Sequence, residues 1–236
     1  MTPEDLAAHV HRRLTALADP EFRAGQRRYF QYAVDTYGVR TTDLHDVVRE
    51  TYRLLKRWPV DQRDACMELL WENGGLEAGG VVCHVYRRFA SEFGQREFRL
   101  FTGWVDRYAR NWALTDGIAA WLLAVCIENE PELRLKLTPW TRSKNRWKRR
   151  ASAVALLREA KYGRNTAFLL DTAARLLPDR DDMVEKGVGW LLKETYPARP
   201  RETVAFLLEQ KQAASRLTLR YAAEKMSAAD RQLVLG

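Results

Sequence analysis

Apolar positions recur along this chain at intervals of three and four residues rather than two. Leu44, Val47, Val48, Tyr52 and Leu55 form one such run, and Val154, Leu157 and Ala160 another. That spacing sets one face of an α-helix against a core, and no stretch alternates as a half-buried strand would. Breaks fall at Asp19-Pro20, Tyr37-Gly38, Trp58-Pro59, Gly74-Gly75, Gly79-Gly80, Gly94, Asn111, Glu130-Pro131, Gly163, Leu177-Pro178, Pro197 and Pro200, residue types that start, stop or interrupt helices. They divide the chain into roughly a dozen helices of about 10 to 18 residues. Helices of this length with short connections predict a HEAT-like solenoid of antiparallel helix pairs, about 40 residues to a pair. A compact irregular bundle is the alternative, since no literal repeat is visible. In either case the fold is all-α, and without a Pro- or Ser-rich linker a single domain over 1–236 is expected.

Two of the expected helices place unusual residues off the core stripe. Projecting the helix that begins near Asn111 at about 100° per residue puts Leu114, Ile118, Trp121 and Val125 inward. Trp112 and Asp116 then fall roughly opposite, four residues apart and stacked on one face. In a second helix, from Asp182 to Thr195, Val184, Val188 and Leu191 point inward while Lys186 and Trp190 share another face. Packing in a two-layered array, with Asp116 as a surface or capping charge, explains either placement taken alone.

Charge changes the picture more by position than by amount. The 236 residues carry a formal net charge of +8, which favours an anionic partner without choosing one. Between Trp140 and Arg164, however, Arg142, Lys144, Arg146, Lys148, Arg149, Arg150, Arg158, Lys161 and Arg164 are opposed only by Glu159, with Trp140 and Trp147 interleaved. Such a segment suits a basic surface that tracks phosphates; a solvated helix face is the plainer alternative.

Other classes are disfavoured. Cys66, Cys83 and Cys126 are odd in number and widely spaced, as expected of reduced core thiols. His9, His11, His45 and His84 lack any HExxH or paired Cys/His spacing, so neither a metal nor another cofactor is expected. The first residues include Glu4 and Asp5 without a long apolar run, and no segment approaches a membrane span. A cytoplasmic monomer without membrane contact is expected.

Three segments, Trp112-Ala113-Leu114-Thr115-Asp116, the stretch from Trp140 to Ala151, and Lys186-Gly187-Val188-Gly189-Trp190-Leu191-Leu192-Lys193-Glu194, together resemble the AlkD-like DNA alkylation repair glycosylases in order and approximate separation. The resemblance covers nearly the whole chain. It implies a solenoid with a basic concave face that holds duplex DNA and excises cationic bases such as 3-methyladenine and 7-methylguanine without enclosing them. Asp116 matches the family's catalytic aspartate, Trp112 and Trp190 the tryptophans flanking the lesion nucleotide, and Arg150 an arginine that contacts DNA nearby. Tyr29 and Gly38 match in spacing, whereas Arg40 stands where the family carries a polar amide. With Arg146, Trp147, Lys148, Arg149 and Lys186, these residues make up the expected DNA-binding set. A specialist glycosylase for a bulky natural-product adduct and a non-catalytic nucleic-acid-binding scaffold are the competing readings.

Overall fold

The structure, a computed structural model, describes residues 1–30 and 34–236, and among these every regular element is helical. No helix of the described residues is long and apolar enough to cross a membrane. The chain divides into two compact units, Met1–Ala90 and Ser91–Gly236.

In the first unit the helices are α1 (Pro3–Ala16), α2 (Pro20–Tyr29), α3 (Thr41–Leu55), α4 (Val60–Asn73) and α5 (Leu76–Tyr86). Thr2 and Asp5 form a reciprocal capping box at the start of α1, and Asp19 caps α2 ahead of Pro20, satisfying amides that have no partner within the helix. Leu6, Val10 and Leu14 of α1 are buried where it packs on α4, whose Cys66, Met67 and Leu70 are also buried. In α3 the expected stripe holds at Val47, Val48 and Leu55, while Leu44 and Tyr52 are half-buried at its margins. The break expected at Gly79-Gly80 does not occur: α5 runs through it. A Cβ on Gly80 would make an ordinary contact with Leu44 Cδ2 at 3.4 Å, so the packing there does not require glycine.

Ahead of α3, the segment Thr36–Val39 wraps around one buried carboxylate. Glu77, only 2% exposed, accepts hydrogen bonds from Thr36 Oγ1 at 2.6 Å, Tyr37 N at 2.9 Å, Gly38 N at 2.9 Å and Val39 N at 3.1 Å. Gly38 has φ +83°, and a Cβ there would lie 2.5 Å from Asp19 O, so both the backbone conformation and the available space require glycine.

The second unit contains α6 (Gln95–Tyr108), α7 (Trp112–Ile118), α8 (Ala124–Asn129), a 3₁₀ helix (Pro131–Arg142), α9 (Arg146–Val154), α10 (Leu157–Lys161), α11 (Thr166–Leu176), α12 (Asp182–Thr195), α13 (Pro200–Glu209), α14 (Arg216–Ala222) and α15 (Ala228–Leu235). A π-helical turn, Ala119–Leu123, joins α7 to α8. The repeat that is invisible as sequence identity is visible in the helix caps. Asn111, Asn145, Asp181 and Ser215 cap α7, α9, α12 and α14 through their side chains, at separations of 34, 36 and 34 residues. A period of about 35 is shorter than the 40 expected. Consecutive members of this set pack on one another, α7 on α9, α9 on α12 and α12 on α14. Interspersed with them are α6, the 3₁₀ helix, α11 and α13, which pack against α7, α9, α12 and α12 respectively.

Of the stacked helices, α7, α9 and α12 run parallel and in register. The first residue of α9, Arg146, pairs with the first of α12, Asp182, at 3.0 Å, and the fifth residue of α9, Arg150, with the fifth of α7, Asp116. Thr218 Oγ1, on the third residue of α14, donates at 3.3 Å to Glu185 O, on the fourth of α12, so α14 packs beside α12 out of step with the other three. Across those three, positions counted from the caps form rows.

The three cysteines are buried and free, as expected of core thiols. Burial pushes the Cys66 thiol up to about 12 and raises Cys83 and Cys126 as well, which leaves them un-ionised and unreactive.

Candidate active site

Asp116 and Arg150 occupy the same position counted from their caps, on adjacent helices of the stack. The guanidinium meets the carboxylate as a fork: Arg150 Nε donates to Asp116 Oδ1 and Nη2 to Oδ2, both at 2.8 Å. The third donor direction is used as well, Nη1 reaching Met183 O at 2.6 Å. One arginine thus links α9 to helices on both sides. Its path crosses Gly187, where a Cβ would lie 3.2 Å from Arg150 Cγ and 3.7 Å from Nη1.

Burial sets the electrostatics of this pair. The Arg150 side chain is 6% exposed and that of Asp116 14%. Burial pushes the Asp116 carboxyl above its usual value, while the hydrogen bonds and charge of Arg150 pull the other way. Each carboxylate oxygen accepts one guanidinium hydrogen bond, so lone pairs remain on the partly open edge.

The projection of α7 holds in outline. Leu114, Ile118 and Val125 are buried, while Trp112 and Asp116 share the half-buried face. Trp121 departs from expectation, being half-buried rather than inward-facing; the intervening π turn adds a residue and shifts the helical register. In α12 the start at Asp182 and the end at Thr195 fall as expected. Val184, Val188 and Leu191 are fully buried, with Lys186 and Trp190 half-buried.

Lys186 Nζ pairs with Asp182 at 3.0 Å, and Trp190 Nε1 donates to Glu194 at 3.3 Å. Partial burial opposes ionisation of Asp182, but Lys186 and Arg146 outweigh it and hold the carboxyl below the usual range. Asp116, Arg150, Lys186 and Arg146 are thereby joined through ion pairs or shared helices, whereas Trp190 sits one turn beyond Lys186 on α12. Tyr29 and Arg40 belong to the first unit. Tyr29 ends α2 and is 72% exposed. Arg40 pairs with Asp19 at 2.7 Å and lies 5.2 Å over the Phe22 ring.

The basic segment differs most from its appearance in sequence. Arg146 pairs with Asp181 at 2.8 Å, Lys148 with Asp106 at 2.7 Å, Arg149 with Asp179 at 2.5 Å and Arg158 with Glu128 at 2.6 Å. Opposition comes from neighbouring helices and not from Glu159 alone. The expected interleaved aromatics also separate: Trp140 is 6% exposed and packs near Phe98, whereas half-buried Trp147 lies under the Arg146 guanidinium at 4.9 Å. Arg150, 5% exposed with its donors directed at protein acceptors, serves Asp116 in this state and is not presented to a phosphate. Sequence reasoning missed Gly187, the Met183 carbonyl and the clamping aspartates. The available signal was the equal distance of acid and base from successive caps.

No curated protein matches the chain. A solved structure described as a predicted DNA alkylation repair enzyme from Enterococcus faecalis is similar in fold, with a TM-score of 0.80 and 16% identity over 89% of this chain and 97% of that one. A family model for DNA alkylation repair enzymes matches residues 10–226. That match runs from α1 through α14, across the first unit and the capped stack that carries Asp116, and the chain belongs to the DNA alkylation repair enzyme family.

Proposed function

We propose that the protein is a DNA glycosylase that hydrolyses the N-glycosidic bond of cationic alkylated purines in duplex DNA, with Asp116 as the catalytic carboxylate. The observation that carries this reading is the partly open Asp116 carboxylate, oriented by buried Arg150 on the face it shares with Trp112. A purine alkylated at N3 or N7 already bears positive charge and leaves readily, so bond cleavage builds an electron-poor, oxocarbenium-like deoxyribose. The useful contribution is then a fixed negative charge beside the sugar, with a free lone pair to orient water at the anomeric carbon.

Arg150 acts here as a positioning residue: its charge opposes the rise that burial imposes on the Asp116 carboxyl, and its fork fixes the carboxylate plane. Trp112 and Trp190 supply electron-rich faces for a charged nucleotide, worth about 0.5 to 2 kcal/mol each, and a neutral base gains little from them. This discriminates lesions by charge and sets no limit on their bulk.

The test is base release from duplexes carrying 7-methylguanine, 3-methyladenine or a bulky N3-adenine adduct, by wild type and Asp116→Asn. Release of at least one cationic base by wild type and its loss in the variant, with duplex binding retained, is expected. Equal release by both proteins overturns the role of Asp116, and no release of any lesion overturns the glycosylase reading. The bulky substrate distinguishes a specialist from a methyl-purine enzyme.

A further inference from the structure

The cations around Asp116 are already engaged. Arg146, Lys148, Arg149 and Lys186 each meet an aspartate within 3.0 Å. A phosphate approaching such a cation must displace a carboxylate and gains only the difference between the two pairings. Cations condensed on DNA are released as its phosphates are neutralised, and a side chain whose charge is shared with an aspartate neutralises a phosphate less.

A second set is placed differently. The residue just before each of the first three stacked caps is basic: Arg110 before Asn111, Lys144 before Asn145 and Arg180 before Asp181. All three are exposed. The side chains of Arg110 and Lys144 have no hydrogen bond or ion pair among the described residues. Arg180 donates to the carbonyls of Leu177, Asp179 and Ala213, and neutral acceptors leave its charge uncompensated. Because α7, α9 and α12 are parallel and in register, residues one place before their caps line a single edge. Packed helix axes lie about 8–10 Å apart, which spaces the three charges for successive contacts along a polyanion.

We propose that Arg110, Lys144 and Arg180 form the track for a DNA phosphate strand, and that Arg146, Lys148 and Arg149 shape the surface behind it. The proposal rests on the reading of the chain as an enzyme acting on duplex DNA. It assigns salt-dependent affinity to residues outside the acid-clamped cluster.

The test is binding of an undamaged duplex across a series of KCl concentrations. Three proteins are compared, wild type, R110A/K144A and R146A/K148A/R149A, each checked for folding by thermal melting. Each lost phosphate contact removes about 0.9 from the slope of log affinity against log salt, so the double variant should flatten it by about two units and the triple should leave it unchanged. If the triple variant fails to fold, K148A/D106A removes both members of one pair and should also keep the wild-type slope. A wild-type slope in R110A/K144A, a flattening of about two units in the triple variant, or one of about 0.9 in K148A/D106A, overturns the proposal. Base release is measured on the same preparations. Slope loss in the double variant with no release by wild type sinks the glycosylase reading alone, and release with an unmoved slope sinks the track alone.

Discussion

Two buried carboxylates, one in each unit, solve the same problem in opposite ways. Glu77 is 2% exposed and surrounded by neutral donors, with the Thr36 hydroxyl and the amides of Tyr37, Gly38 and Val39 all fixed by one short segment. Asp116 is held by a single charged donor, Arg150, reaching from another helix, and keeps an edge open to solvent. Buried charge is costly unless it is paired or fully hydrogen-bonded. Glu77 is stabilised by saturation and thereby committed to structure. Asp116 is stabilised by one partner and keeps lone pairs accessible.

Substitution separates the two most sharply. Asp116→Asn should lower base release by about 10²–10³, the range found when one preorganised electrostatic group is removed from an active site. Glu77→Gln should leave the chemical step intact and lower stability by about 1–3 kcal/mol, because its amide nitrogen, placed where Oε2 was, would confront the Tyr37 N–H. Parallel melting and single-turnover measurements on both variants decide this; a fall in the single-turnover rate for Glu77→Gln would erase the distinction.

A finer probe is Gly187→Ala. The added methyl would lie 3.2 Å from Arg150 Cγ, near the root of the side chain, so a small shift there swings the guanidinium that orients Asp116. A fall of about tenfold in kcat, equivalent to about 1.4 kcal/mol, is expected with KM little changed. Loss of melting temperature without change in kcat would reduce Gly187 to packing.

The smallest effect is in pH dependence. Burial raises the Asp116 carboxyl above its ordinary 3.8, so activity that requires the ionised form should fall on acidification at a higher pH than for an exposed aspartate. The sign for stability is the reverse: a carboxyl raised in the folded state contributes fully below its unfolded value, and that contribution fades as pH climbs through the folded one. The stability of wild type relative to Asp116→Asn should therefore decline with rising pH. An acid limb no higher than that of a free carboxylate would count against burial at the site.

Helix type and the inward stripes were legible in the sequence because the periodicity is strong in α12, whose two ends fell where capping and breaker residues indicated. The repeat was not, because it resides in a cap position that Asn, Asp and Ser fill equally well. Gly79-Gly80 looked like a break because glycine weakens helices, but the buried Ala78, Val81, Val82 and Val85 carry α5 through it. At the site, Trp112 and Asp116 could be placed on one face from i, i+4 spacing. Their partner could not, since Arg150 lies 34 residues away. The same blindness made the basic segment look unopposed, as Asp106 and Asp179 reach it only through packing.

The arm of Arg150 touches α7 through Asp116 and α12 through the Met183 carbonyl, so the site gauges the alignment of three consecutive layers. Linear repeat arrays loosen one interface at a time, through partial openings that need far less energy than global unfolding. A slip of α12 that leaves every helix intact would withdraw one support of Arg150 and misaim Asp116. Repair activity should therefore disappear on gentle warming while far-ultraviolet circular dichroism still reports a fully helical chain.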